Sequence, residues 1–123
     1  MPRYLLKPDR GEDYYVEWST IVDAPIWQGP AAEALKRCPP ELVERASETG
    51  TSDPDPYFYG YDCDGMILGG RYWLPRRNLA AVTRLLHEER VADDDPRLQA
   101  LLEDPADRPD VIRLVLSADE DER

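Results

Sequence analysis

The chain has 123 residues, of which 41% are hydrophobic, with three Trp, seven Tyr and one Phe, and a formal net charge of -11. This length and aromatic content suit one folded domain that needs neither disulfides nor metal, and they exclude an acidic disordered chain. The negative charge argues against anionic membranes and nonspecific duplex binding. No apolar run approaches the roughly 18 residues of a membrane span, and the segment from Met1 to Pro8 is too short in apolar residues for a signal peptide. The expectation is a soluble, cytoplasmic protein.

Residues 3–7 and 14–22 read as strands. Tyr14, Val16, Trp18, Thr20 and Val22 alternate with Tyr15, Glu17, Ser19 and Ile21, and β-branched and aromatic residues dominate. Pro8 to Asp13 supplies turn formers between them, so the pair is expected to be a hairpin. The segment from Asp23 to Pro30 reads as a break, because each proline lacks a ladder donor and Gly29 permits reversal. A helix is predicted over Ala31 to Arg37, stopped by Pro39 and Pro40. A second is predicted from Pro40 to Glu48, with Glu41 in its first turn and Gly50 as its cap.

Thr51 to Pro56 reads as a loop, since the two Asp-Pro steps favour turns. Tyr57 to Tyr61 and Met66 to Trp73 then read as two strands joined by Asp62-Cys63-Asp64-Gly65, an Asp-Gly turn signal. Gly69-Gly70 reads as a bulge or a close backbone contact inside the second strand. A long helix is expected from Pro75 to Val91, with Leu79, Val82, Leu85 and Leu86 on one face at the 3.6-residue period. Asp93 to Asp95 ends it, and one Asp caps a short helix from Pro96 to Leu102. Val111 to Leu116 reads as a final, interior strand, and Ala118 to Arg123 as a frayed acidic tail. The fold class is α+β, in the order ββααββααβ. It is read as a single domain over residues 1–117, with a mostly antiparallel sheet of about five strands and helices packed on one face.

Charge is distributed unevenly: residues 41–70 sum to -6 and 92–123 to -7, whereas 71–91 sum to +3. Arg71, Arg76, Arg77, Arg84 and Arg90 therefore form a candidate basic helix, with Tyr72 and Trp73 at its start. Such a combination binds single-stranded nucleic acid or another anion, although pairing with the chain's own carboxylates is the plainer reading. The second candidate is aromatic and acidic. Tyr57, Tyr59 and Tyr61 share one face of their expected strand, flanked by Asp53, Asp55, Asp62 and Asp64. Tyrosine concentrates binding energy at interfaces, although a core role for these rings is the plainer reading.

Signals for catalysis are weak. His87 is the one histidine, and it reads as a partly exposed helix residue. No serine stands in a GxSxG context. Gly69-Gly70 lacks the Gly-Lys-Ser/Thr of a phosphate loop, and Asp62-Cys63-Asp64-Gly65 shares only a fragment with calcium loops. Cys38 and Cys63 have no metal-ligand spacing and read as idle thiols. A metal-dependent enzyme built on the Asp clusters is kept as a second alternative, but no catalytic residue, metal or cofactor is assigned.

The run from Tyr14 to Pro25, YYVEWSTIVDAP, resembles segments of short uncharacterised proteins of high-GC bacteria and their phages. It covers about a tenth of the chain, implies a phage or mobile-element accessory context, and transfers no functional residue. The sequence thus predicts a non-enzymatic interaction protein, of inhibitor, anti-defence or immunity type. Its partner would be a protein with a basic surface. Nucleic acid enters only through the basic helix, a membrane partner is not expected, and a homo-oligomer stays open.

Overall fold

The computed structural model describes residues 3–55 and 59–104. The expected strand at Val111 to Leu116, the acidic tail, Tyr57 and Phe58 lie outside these residues. What is described is α+β, with two small antiparallel sheets rather than one sheet of five strands.

Strand β1 (Arg3–Leu6) pairs with β2 (Tyr15–Ser19), Leu5 opposite Glu17 and Leu6 opposite Val16. The hairpin loop is tightened where the Asp9 carboxylate accepts the Gly11 amide at 2.9 Å, a local bond typical of Asp in turns. The segment read as a break is instead a third strand, β3 (Ala24–Gly29), on the other side of β2. Two features admit Pro25 there. The register shifts between Glu17 and Trp18, so Trp18 faces Pro25 at a bulge, and among the described strands β3 lies at the sheet edge, where its missing amide leaves no central ladder bond unmade.

Helices α1 (Ala31–Arg37) and α2 (Pro40–Thr49) follow as predicted, and Gly50 ends α2 in the left-handed conformation at φ 90°. A Cβ at Gly50 would stand 2.6 Å from the Tyr61 amide nitrogen and 2.8 Å from Arg76 Nη2, so glycine is demanded by conformation and space together.

Strands β4 (Gly65–Leu68) and β5 (Tyr72–Pro75) form the second sheet. Their reversal lies at Gly69 and Gly70, both at positive φ, with the Arg71 amide donating to the Leu68 carbonyl. The segment Met66 to Trp73 is therefore a hairpin in itself, and Asp62 to Gly65 only leads into it. Paired left-handed glycines match the twist of a hairpin and outcompete the Asp-Gly signal. Tyr59 to Tyr61 is turn rather than strand, Tyr59 itself having φ 69°.

The expected long helix is also shorter. Arg76–Asn78 form a 3₁₀ turn, α3 spans Leu79–His87, and Arg90 beyond it has φ 52°. Helix α4 (Pro96–Gln99) starts where the Asp95 carboxylate accepts the Arg97 amide at 2.9 Å, as its sequence predicts.

Every residue of β2 is buried, because both faces of its sheet are covered. Leu6, Val16 and Trp18 join Met66, Leu74, Leu79, Val82 and Leu98 on one side. Leu5 and Tyr15 meet Ala34, Val43 and Ala46 on the other. Helices therefore lie on both faces, not one. Each fully buried Leu or Val contributes about 1.5–3 kcal/mol, so the alternation along β2 secures two apolar layers at once. Glu17 faces the second layer, where Arg37 donates to its Oε2 through Nη2 at 2.6 Å and Nε at 3.2 Å. Among the described residues, no helix is long and apolar enough to cross a membrane.

Candidate functional site

The two halves of the predicted acidic and tyrosine strip are separated, because the strand that should have aligned them is a turn where it is described. Asp53, Asp55 and Tyr59 line one open groove of about 460 Å³ together with Tyr4 and Thr20. Tyr61, Asp62 and Asp64 line another of about 470 Å³, shared with Arg10, Arg76 and Arg77. Both grooves differ from a third, more enclosed cavity at His87.

The first groove is built on β1. Residues at alternate strand positions share a face, and Tyr4 and Leu6 point to the Trp18 side of the sheet, with Tyr4 at its margin. The Tyr59 ring packs 6.1 Å from that of Tyr4 and 6.2 Å from that of the fully buried Trp18, each pair tilted by just under 40°. The Asp53 carboxylate stands near the Tyr4 phenol and helps to raise its pKa. Asp53 Oδ1 accepts the Asp55 amide at 2.9 Å, and the Asp53 amide donates to Thr51 Oγ1 at 3.1 Å. An ionised carboxylate has about four acceptor sites, so these contacts orient Asp53 while leaving capacity for a further donor.

The phenols of this groove stay protonated at neutral pH. Burial, reinforced by the nearby Asp23 and Asp53 carboxylates, pushes Tyr59 up to about 12. Burial and then the Asp53 carboxylate raise Tyr4 as well. The groove therefore combines aromatic faces with negative charge from Asp53 and Asp55.

The second groove is mixed in sign. Tyr61 has two guanidinium groups over its ring, with the Arg10 carbon 4.2 Å and the Arg76 carbon 5.3 Å from its centroid. Its hydroxyl donates to the Ser47 carbonyl at 2.8 Å. The ring thus already has cationic neighbours from this chain.

Arg71, Arg76, Arg77 and Arg84 do not share a basic helix face. Arg71 is exposed in the β4–β5 turn, and Arg76 is 6% exposed in the 3₁₀ turn. Arg76 donates to the carbonyls of Tyr59, Pro8, Lys7 and Gly50 at 2.9–3.1 Å. Arg77 pairs with Glu103 at 3.6 Å, and Arg84 pairs with Glu12 across the first hairpin. The 3₁₀ start turns Arg76 inward, and α3 ends before Arg90.

The predicted Asp pairs occupy different surfaces, and no three His, Cys, Asp or Glu side chains converge as metal ligands among the described residues. Cys38 and Cys63 are free thiols. Sequence reasoning missed Tyr4 and Arg10, although strand alternation marks Tyr4 as a partner of Leu6 on one face. No family model, curated protein or solved structure matches the chain.

Proposed function

We propose that the chain is a non-enzymatic interaction protein whose groove at Tyr4, Tyr59, Asp53 and Asp55 receives a Lys or Arg side chain from a basic protein surface. The supporting observation is where the charges go. Most of the described cations are engaged within the chain: Arg3 and Arg37 with Glu17, Lys36 with Glu33, Arg77 with Glu103, Arg84 with Glu12, and Arg97 with Glu89 and Asp95. Arg45 and Arg76 donate to backbone carbonyls. Exposed carboxylates at Glu41, Glu44, Glu48, Asp62, Asp64 and Glu88 have no ion-pair partner among the described residues. Internal pairing engages most of the described cations and leaves an outward negative field, which speeds encounter with a basic partner.

Within that field, the first groove joins the carboxylates of Asp53 and Asp55 to the aromatic faces of Tyr4 and Tyr59. A guanidinium or ammonium over a tyrosine gains about 0.5–1 kcal/mol where exposed, in addition to its charge-assisted bonds to carboxylate. Occupying a basic surface in this way is what an inhibitor or immunity-type factor does.

The test is an NMR titration with an oligo-arginine peptide at two ionic strengths. The reading expects saturable shifts at Tyr4, Thr20, Asp53, Asp55 and Tyr59, and weaker affinity at high salt because exposed charges are screened. Shifts confined to other surfaces, or binding indifferent to salt, would overturn it.

A further inference from the structure

The third cavity, of about 450 Å³, lies where β3, the β4–β5 turn, α3, the loop at Asp93 and α4 converge. Its volume is within the roughly 300–1,000 Å³ usual for small-molecule sites. Leu68 and Leu98 form its floor as members of the main core, and the half-buried Leu86 extends the apolar wall. At its rim stand Arg71, His87 and Asp93. An apolar interior with a few polar groups at one side is the usual composition of a ligand site, and no part of the partner-binding groove enters it.

The polar groups are held in place. His87 Nε2 lies 2.6 Å from the Pro25 carbonyl, a contact that requires this nitrogen to carry the proton and fixes the ring plane. Nδ1 is then left for another partner. The Arg71 turn is fastened at both ends. The Gly69 amide donates to the Asp23 carbonyl at 2.8 Å, and the Arg71 amide donates to the Leu68 carbonyl at 3.2 Å. The Arg71 side chain is exposed and has no ion-pair partner among the described residues, unlike Arg77, Arg84 and Arg97.

From this arrangement we infer that the cavity binds a small organic monocarboxylate with an apolar body. The guanidinium presents a planar pair of donors matched to a carboxylate, and the leucine walls receive the aliphatic or aromatic remainder. Asp93 also lines the cavity, and its carboxylate disfavours each added negative charge on a ligand, so a dianion is held less well than a monoanion. A phosphate ester therefore fits less well than a carboxylate.

The experiment uses the full chain and phenylacetate as probe, with phenylacetamide as the neutral counterpart, followed through leucine methyl resonances. Phenylacetate is expected to shift Leu68, Leu86 and Leu98 saturably, and to bind about tenfold more tightly than the amide, the size of one charge-assisted contact. Arg71→Gln, an exposed turn substitution, should remove that tenfold preference and leave phenylacetamide binding unchanged. The absence of methyl shifts, equal affinity for acid and amide, or a preference that survives Arg71→Gln would overturn the inference. The acid and amide comparison needs only the unaltered protein, so the outcome does not depend on the variant folding.

Discussion

Arg76 Nη2 donates to the Gly50 carbonyl at 3.0 Å, joining the 3₁₀ turn before α3 to the left-handed cap of α2. The same side chain reaches carbonyls at Lys7, Pro8 and Tyr59, so one buried cation ties four segments remote in sequence. Burial lowers its pKa from the ordinary arginine value, but the neighbouring carbonyls and the charges around it favour the cation. Arg76→Met should cost about 3 kcal/mol or more, since several carbonyls lose their donor and each buried unsatisfied acceptor costs about 1–3 kcal/mol. Urea unfolding monitored by tryptophan fluorescence measures this. Arg76→Lys should rescue only part of it, because an ammonium lacks the fork that serves four acceptors.

Gly50 is the other half of that joint. Gly50→Ala is expected to destabilise by about 2 kcal/mol or more, combining the left-handed backbone penalty with the close approach of Tyr61 and Arg76. The same unfolding measurement checks it, and a loss below about 0.5 kcal/mol would show that the cap relaxes freely.

Alkaline pH probes the buried Tyr14 phenol and the half-buried Tyr59 phenol. Burial pushes both Tyr14 and Tyr59 up to about 12 from an ordinary 10.0. Between those values the unfolded chain has released protons that the folded chain keeps. The contribution is therefore fully present below about pH 10 and is lost as pH rises toward about 12. Tyr14→Phe and Tyr59→Phe should each flatten this decline in a series of unfolding curves. At neutral pH Tyr14→Phe should be neutral or stabilising, because the Tyr14 hydroxyl is buried with no hydrogen-bond partner among the described residues.

These joints also show what a linear reading can and cannot find. The alternation through Tyr15 to Ser19, the helices at Ala31 and Pro40, the Gly50 cap and the Asp95 cap were legible, because local pattern and side-chain chemistry determine each. Strand β3 was not, since Pro25 reads as a breaker until its edge position and the bulge at Trp18 are known. The Asp64-Gly65 step carried a turn signal that the left-handed Gly69 and Gly70 took over. Arg76 looked like one member of a basic surface, but its burial depends on carbonyls contributed from positions 7, 8, 50 and 59. For the same reason Asp53, Asp55 and Tyr59 were found as candidates, whereas Tyr4, which completes their groove from the far end of the sheet, was not.

Tyr4 separates ring from hydroxyl in the proposed groove. Tyr4→Phe keeps the aromatic face and removes only the phenol near the Asp53 carboxylate. Affinity for an oligo-arginine peptide should therefore stay within about twofold. Tyr4→Ala removes the face and should weaken binding about two- to fivefold, the scale of one exposed cation–π contact. Fluorescence anisotropy with a labelled peptide distinguishes the two.

The central claim is that one groove, and not the net charge of -11 alone, engages a basic partner. The most direct measurement compares two variants that lose the same charge, Asp53→Asn with Asp55→Asn against Glu41→Gln with Glu44→Gln on the exposed side of α2, in oligo-arginine binding by isothermal titration calorimetry. The account predicts a loss of about tenfold for the groove pair, as expected for charge-assisted contacts, and less than about twofold for the helix pair, as expected for screened surface charge. Equal losses for both pairs would contradict it, because they would mean that only the total charge matters.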